Sequence, residues 1–559
     1  MDTGSGEPRD SLRQAIDDEI NSLEQSIRVL KTRRNALAPI SCLPPETLAA
    51  IFSFLTPSAN RHYFSLEWIC FSHVCRQWRE TALNYPRLWS HITFHVNDSY
   101  SELTPKLAPA AIAEIPARAK TVSLHLDLEL MIKNELEWIA IVRQIDAHIS
   151  HTRYLRVSGL LLSLEPLVSS APILESLSLM RTLPGLQAIP SNLFNCSTPS
   201  LTSLELEGCD ISWKSPLLKG LQDLKIRSTA AHPELDDWLD ALNEMSQLKT
   251  LSLHYGATPA APPAPFISQP LRTVTLPSLT KFHITTSAKS CTLALAHLVM
   301  PALAWLHVDV YSEEDGAEDV RPLIPYVARN VCGLQDTEPL RSILISGKNS
   351  ISRGEDTSVN VFAWIMPDAD LDGYDPIIYR SSIPARLTFT ATSGMGSNRH
   401  HGVDTGIIDA LLTLLPVDSV STLIVHYYAQ LSKEFWLIHA PRWPSLEQVH
   451  LAPTAVKAFT EMLAEDAPPD GPRLPSLTKL ILIHVRKTWS VGGSLCSTRS
   501  ISISLNTTFV APEHTIKLLR DIVIEKVDED GGEFATWGPK YFNLRSLLHV
   551  TRRPDLRID

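Results

Sequence analysis

Four things are scarce in this 559-residue sequence: positive charge, paired cysteines, uninterrupted apolar runs and the short motifs of catalysis. Lys and Arg number 50 against 61 Asp and Glu, giving a net charge of -11. A protein that wraps nucleic acid needs clustered positive charge to displace counterions from phosphates, so no nucleic-acid partner is expected. The eight cysteines, at positions 42, 70, 75, 196, 209, 291, 332 and 496, are scattered and form no C-x-x-C pair. That excludes a disulfide framework and fits reduced thiols in the cytoplasm or nucleus. The longest apolar stretch, Cys291 to Val310, is broken by His297, Pro301, His307 and Asp309, so no membrane span is expected. The opening MDTGSGEPRD carries Asp2, Glu7 and Asp10 and lacks the basic-then-apolar order of a secretory signal, which points to an intracellular protein.

Catalytic signatures are missing as well. There is no G-x-S-x-G elbow, no G-x-x-x-x-G-K-[ST] loop and no H-E-x-x-H helix. Asp368-Ala369-Asp370-Leu371-Asp372-Gly373 opens like a calcium loop, but Tyr379 stands where the bidentate glutamate belongs. Gly394, Gly396, His400, His401, Gly402 and Asp404 form a Gly-rich patch better read as a loop. No catalytic residue, metal or cofactor is therefore expected, and the chain reads as an interaction protein, not an enzyme.

What is present is ample material for a core: 44% hydrophobic and 20% charged residues, the balance of a folded protein. Residues 1-38 predict an amphipathic or coiled-coil helix. Ile16, Ile20, Leu23, Ile27 and Leu30 recur at steps of four and three, with Arg34 in phase before Leu37. This seam over residues 12-37 offers self-association; the alternative is one amphipathic helix packed on its own protein.

Residues 39-95 predict a small all-helical module. Leu43-Pro44-Pro45-Glu46 starts a helix, because proline suits the first turn and Glu46 favours its positive end. Leu48, Ile51, Phe52 and Leu55 then share one face. A second helical stripe holds Phe71, Val74, Cys75, Trp78 and Ala82, and Leu88-Trp89 follows the stop at Pro86. These residues, with Val74-Cys75-Arg76-Gln77-Trp78-Arg79 and Pro86-Arg87-Leu88-Trp89, resemble the F-box, in the F-box-like form of large mushroom-type fungal families. The segment from Thr56 to Leu66 is longer and more polar than the usual inter-helix link. The resemblance implies a substrate-recognition subunit of a cullin-RING (SCF-type) ubiquitin ligase that binds a Skp-type adaptor. On that reading Leu43, Pro44, Leu48, Ile51, Phe52, Leu55, Val74, Cys75 and Trp78 form the adaptor contact or its support, Trp78 being the core residue among them. The rival reading is a coiled-coil, leucine-rich scaffold with no ligase connection.

From 96 to 559 the sequence predicts an irregular leucine-rich solenoid, so the fold class is α/β: helices and an F-box-like module, then repeats with a parallel sheet. The phrase Pro-Ser-Leu-Thr/Glu recurs at Pro199, Pro277, Pro444 and Pro475 and heads L-x-x-L-x-L units such as Leu201, Leu204, Leu206 and Leu303, Leu306, Val308. Within each unit the alternation sends leucines inward and their neighbours outward. The outward row carries Glu205, Glu207, Lys225, Arg227, His254, Trp305, His307 and Asp309, the first seven of which are candidates for contact with an unknown protein target. For any one of them a merely solvated side chain is the plain alternative. Between 347 and 406 the phrase weakens and a loop-rich insertion is expected.

Overall fold

The repeat phrase owes its form to hydrogen bonds that tie each turn to the one before it. Ser200 Oγ donates to the carbonyl of Pro172 at 2.7 Å, and Ser476 Oγ to that of Pro444 at 2.6 Å. The threonine two residues later repeats the device: Thr202, Thr280 and Thr478 donate through both amide and hydroxyl to the carbonyls of Glu175, Lys249 and Glu447. The intervening leucines, Leu201 and Leu279, are buried. Proline, which has no amide hydrogen to satisfy, opens a turn whose polar groups are otherwise paired.

The computed structural model describes residues 7-55, 65-97, 103-228, 232-260, 272-311, 320-332, 338-348, 357-365, 385-393, 405-426, 429, 431-463, 473-490 and 493-504. The acidic Asp368-Gly373 loop and the Gly394-Asp404 patch lie outside these, as does residue 56-64 of the inter-helix link. Two compact units divide the chain, Met1-Leu218 and Lys219-Asp559.

The first unit begins with α1 (Glu7-Ala36). Its seam residues stay uncovered: Ile16, Ile20, Leu23, Ile27 and Leu30 are 48-63% exposed. A small helical module follows, built on α2 (Pro45-Leu55) and α3 (Arg76-Leu83), with short 3-10 turns at Pro39-Cys42, Ser65-His73 and Pro86-Trp89. Five parallel strands come next in chain order: His91-Asn97, Leu124-Met131, Thr152-Gly159, Ser176-Arg181 and Ser203-Glu207. Leu124, Leu126, Leu128 and Leu130 all point into the core, as period-two alternation requires. Behind the sheet, helix Glu135-His148 starts where Asn134 accepts amide hydrogens from Leu136 and Glu137, and it buries Trp138 completely.

The second unit opens with four parallel strands in chain order, Asp223-Ser228, Thr250-Tyr255, Lys281-Ser287 and Trp305-Tyr311. The order then breaks. Trp305-Tyr311 pairs with Leu387-Ser393, which is antiparallel to Thr357-Trp364, which in turn is antiparallel to Ser342-Lys348. Strands Thr422-Val425, Gln448-Leu451 and Lys479-Ser490 resume the parallel run, and Gly493-Ser504 folds back antiparallel. The 347-406 segment expected to be loop-rich thus supplies two sheet strands. Their pattern explains it: Val359, Val361 and Ala363 face one core, while Phe362 and Trp364 join Leu344, Ala385 and Ile424 in a buried apolar cluster on the other side. Strands buried on both faces lose the alternating signature of a half-exposed strand.

Helices of the second unit are tied to one another at their ends. Arg329 donates to the carbonyls of Leu295 and Leu298, at the end of helix Ala288-His297. Arg442 does the same for Leu412 and Leu415, at the end of helix Thr405-Leu414. Cations on otherwise orphaned C-terminal carbonyls satisfy both hydrogen bonding and the helix dipole. Among the described residues no helix is long and apolar enough to cross a membrane.

Candidate functional site

The functional candidates fall on the helical module and on outward strand faces, Glu205 and Glu207 in the first unit and the remaining residues in the second. In the module, Pro45 and Glu46 start α2 as the sequence predicts, with Leu48 amide bonding back to Pro44. Leu48 and Phe52 are fully buried, at 0% and 1% exposure. Phe52 stacks on Phe71 with ring centres 5.5 Å apart and meets Trp78 at 5.2 Å. These two α2 residues therefore form the inside of the module and act on any partner only by holding its shape. Trp78 is half-buried, and the tryptophan that closes the core is Trp89, 2% exposed, whose Nε1 donates to Ala82 at 2.8 Å. The guanidinium of Arg118 lies 4.7 Å over its ring.

Polar clips fix the remaining angles. Gln77 Nε2 donates to the carbonyl of Ser41 and Arg79 Nε to that of Ser72, joining α3 to the preceding turns. Leu43, Ile51 and Cys75 are partly accessible, and Pro44 is exposed. Leu55 ends α2, and its side chain lies outside the described residues. Val74 is 57% exposed, and Phe54, which the sequence reading passed over, is 89% exposed. A large aromatic on α2 away from the Leu48-Phe52 stripe was the signal available for it. A module of this size that leaves a phenylalanine and a valine in water has apolar surface to give a partner.

On the sheet, the alternation holds. Leu204, Leu206, Leu224, Ile226, Leu251, Leu253, Leu306 and Val308 are buried, while Lys225 and Arg227 are exposed and Glu205, Glu207, Trp305 and His307 partly so. Glu205 accepts from Ser178 of the neighbouring strand at 3.1 Å. His254 faces outward but is only 5% exposed, because it lies against His283 with ring centres 4.4 Å apart. Burial pushes its pKa down to about 3, helped by His283, Arg227 and Lys225. His283 stacks flat on His307 at 4.0 Å, and Trp305 packs edge-on against His307 at 5.5 Å.

The carboxylate of Asp309 stands beside both stacked rings, 3.1 Å from His307 Nε2 and 3.7 Å from His283 Nε2. Burial alone raises its pKa, but the two imidazoles outweigh that and hold it well below the ordinary carboxylate range. Burial likewise lowers the pKa of His283, with Asp309 opposing. The sequence reading found His254, Trp305, His307 and Asp309 on this row but missed His283. Aligning the units would have found it, since Phe282-His283-Ile284 and Leu306-His307-Val308 occupy equivalent positions and pair in register.

Residues 40-95 match the F-box-like family model, the same stretch as the helical module and the start of the first strand. No curated protein matches the chain. An F-box-like domain suggests, in general, an adaptor-binding substrate receptor of the SCF type.

Proposed function

We propose, from the F-box-like domain at residues 40-95, that this chain is the substrate-recognition subunit of a cullin-RING ubiquitin ligase. The module docks a Skp-type adaptor and the outward row of the leucine-rich sheet holds a protein target. Such a receptor needs no catalytic residue, because fixing a target beside a ubiquitin-charged enzyme raises effective concentration. The role implies a location in the cytoplasm or nucleus.

One observation supports the adaptor contact most strongly: Phe54 and Val74 stand in water on a module whose own core is already closed by Phe52, Phe71 and Trp89. Pro44, with the accessible edges of Leu43, Ile51, Cys75 and Trp78, completes the contact, while Leu48 and Phe52 support it from within. Target contact falls to Glu205 and Glu207 in the first unit and to Lys225, Arg227, Trp305 and His307 in the second, with His254 lying beneath its neighbours.

The test is calorimetric binding of a purified Skp-type adaptor to the full chain. Micromolar or tighter binding is expected, weakened at least tenfold by Phe54→Ala with Val74→Asp, consistent with roughly 1-3 kcal/mol for an interface anchor. Retention of the circular dichroism spectrum by the double variant keeps the result interpretable. A wild-type chain that binds no adaptor at micromolar concentration would leave the scaffold reading standing. That second reading draws on the uncovered α1 seam, which also fits self-association through residues 12-37.

A further inference from the structure

We propose that His283, His307 and Asp309 form a three-ligand site for a divalent transition-metal ion of the zinc class on the outward face of the second unit's sheet. The geometry comes from the pleat. His283 lies directly opposite His307 on adjacent parallel strands, and Asp309, two residues on, is on the same face and opposite Thr285. One ligand atom from each of the three residues can be chosen so that all lie within 4.8 Å of one another.

His307 Nε2 lies 3.1 Å from Asp309 Oδ1 and His283 Nε2 3.7 Å from Asp309 Oδ2, near the roughly 3.3-3.5 Å between ligands of a tetrahedral ion with bonds of about 2.0-2.2 Å. Because the two rings stack flat, one imidazole turns about its Cβ–Cγ bond to aim its lone pair at the ion. His307 Nε2 and Asp309 Oδ1 are buried 3.1 Å apart, close enough to interact but poorly aligned for a well-formed hydrogen bond. Two polar atoms brought together but not aligned as donor and acceptor are what an ion between them reconciles.

The surroundings fit a ligand shell. His283 Nδ1 lies 3.5 Å from Ser252 Oγ, which itself lies 2.9 Å from His254 Nε2. A hydroxyl at Nδ1 leaves Nε2 on the side of the carboxylate, where it also meets Thr285 Oγ1 at 3.3 Å, a hydroxyl that an ion at Nε2 would displace. Two imidazoles and one carboxylate are a donor set suited to zinc and less so to calcium or magnesium, which favour all-oxygen shells. Three protein ligands leave one position open. On this face it is available to water or to a donor side chain of whatever the sheet binds. The site rests on this geometry alone and stands whether or not the chain serves a ligase.

The full chain, stripped with a chelator, is titrated with zinc against a chromophoric competitor and separately with cobalt(II). One ion per chain is expected, with the intense visible absorption of a tetrahedral cobalt centre. Asp309→Asn, which preserves side-chain shape, and His283→Gln with His307→Gln should each weaken zinc at least tenfold. His91→Gln with His125→Gln, a stacked imidazole pair in the first unit, should leave it unchanged. Absence of stoichiometric zinc binding overturns the proposal, as does a triple His283, His307 and Asp309 variant that binds zinc as tightly as the parent.

Discussion

The helical module and the repeat sheet solve the same problem, presenting a surface, in opposite ways. The module closes a small aromatic core and leaves apolar side chains outside, with Phe54 89% and Val74 57% exposed. The sheet encloses an extended leucine core and presents polar side chains: Lys225 and Arg227 in water, then a packed line of His254, His283, His307 and Asp309. Apolar surface on a small fold is suited to a constant partner that covers it. A polar row whose members change from repeat to repeat is suited to recognition of one particular partner. The lesson is that the uncovered residues of the first region and the crowded residues of the second are the informative ones.

The largest effect should separate inside from outside within the module. Trp89→Ala removes a buried ring together with its hydrogen bond to Ala82, and a loss of about 3-5 kcal/mol in unfolding free energy is expected. Phe54→Ala should change stability by less than about 0.5 kcal/mol, since the side chain is already in water. Equal losses from the two substitutions in chemical denaturation would break the contrast. A smaller and separate effect belongs to α1. Ile20→Glu with Ile27→Glu places charge in the seam, and light scattering should show a self-associated chain becoming monomeric with its sheet content intact. A parent that is monomeric at all working concentrations would remove self-association from the account.

How far each region was legible follows from the same physics. The module was readable because helix period, proline at the first turn and tryptophan spacing fall within some fifty residues, and α2 lies where those signals put it. The single stripe read from Phe71 to Ala82 is instead two pieces, the 3-10 turn Ser65-His73 and α3 from Arg76, with Cys75 extended between them. Its inside and outside were less so: Trp78 and Trp89 differ in burial through packing against the turns and Arg118, which no local period encodes. On the sheet, L-x-L alternation identified the outward row from Leu201 onward. The earlier strands, with Leu124, Leu126, Leu128 and Leu130 in plain alternation, lack the Pro-Ser-Leu-Thr turn that drew attention to the later ones. Burial on both faces hid the strands at Thr357-Trp364 and Leu387-Ser393. The histidine line required knowing which strands are neighbours.

The two regions also differ in what their cores hold, which predicts the smallest effect. Among the described residues the module buries no histidine, whereas the helix layer of the second unit buries the imidazole of His439 completely, between Phe435 and Trp443. Burial lowers the pKa of His439 below 6.5, and Asp409, whose Oδ1 lies 2.6 Å from Nε2, only partly opposes it. Between that lowered folded value and 6.5 the unfolded chain binds more protons than the folded one. The contribution to stability is therefore complete above pH 6.5 and is lost as the pH falls toward the folded value, with a slope of at most about 1.4 kcal/mol per pH unit. His91, His125 and His151, all lowered first by burial, add the same sign in the first unit. Denaturation of the full chain at a series of pH values from 7.5 downward should show this decline, and His439→Gln should flatten it while costing some stability at neutral pH. A decline of undiminished slope in that variant would move the acid sensitivity out of the repeat helices and onto His254 and His283 of the sheet or the histidines of the first unit.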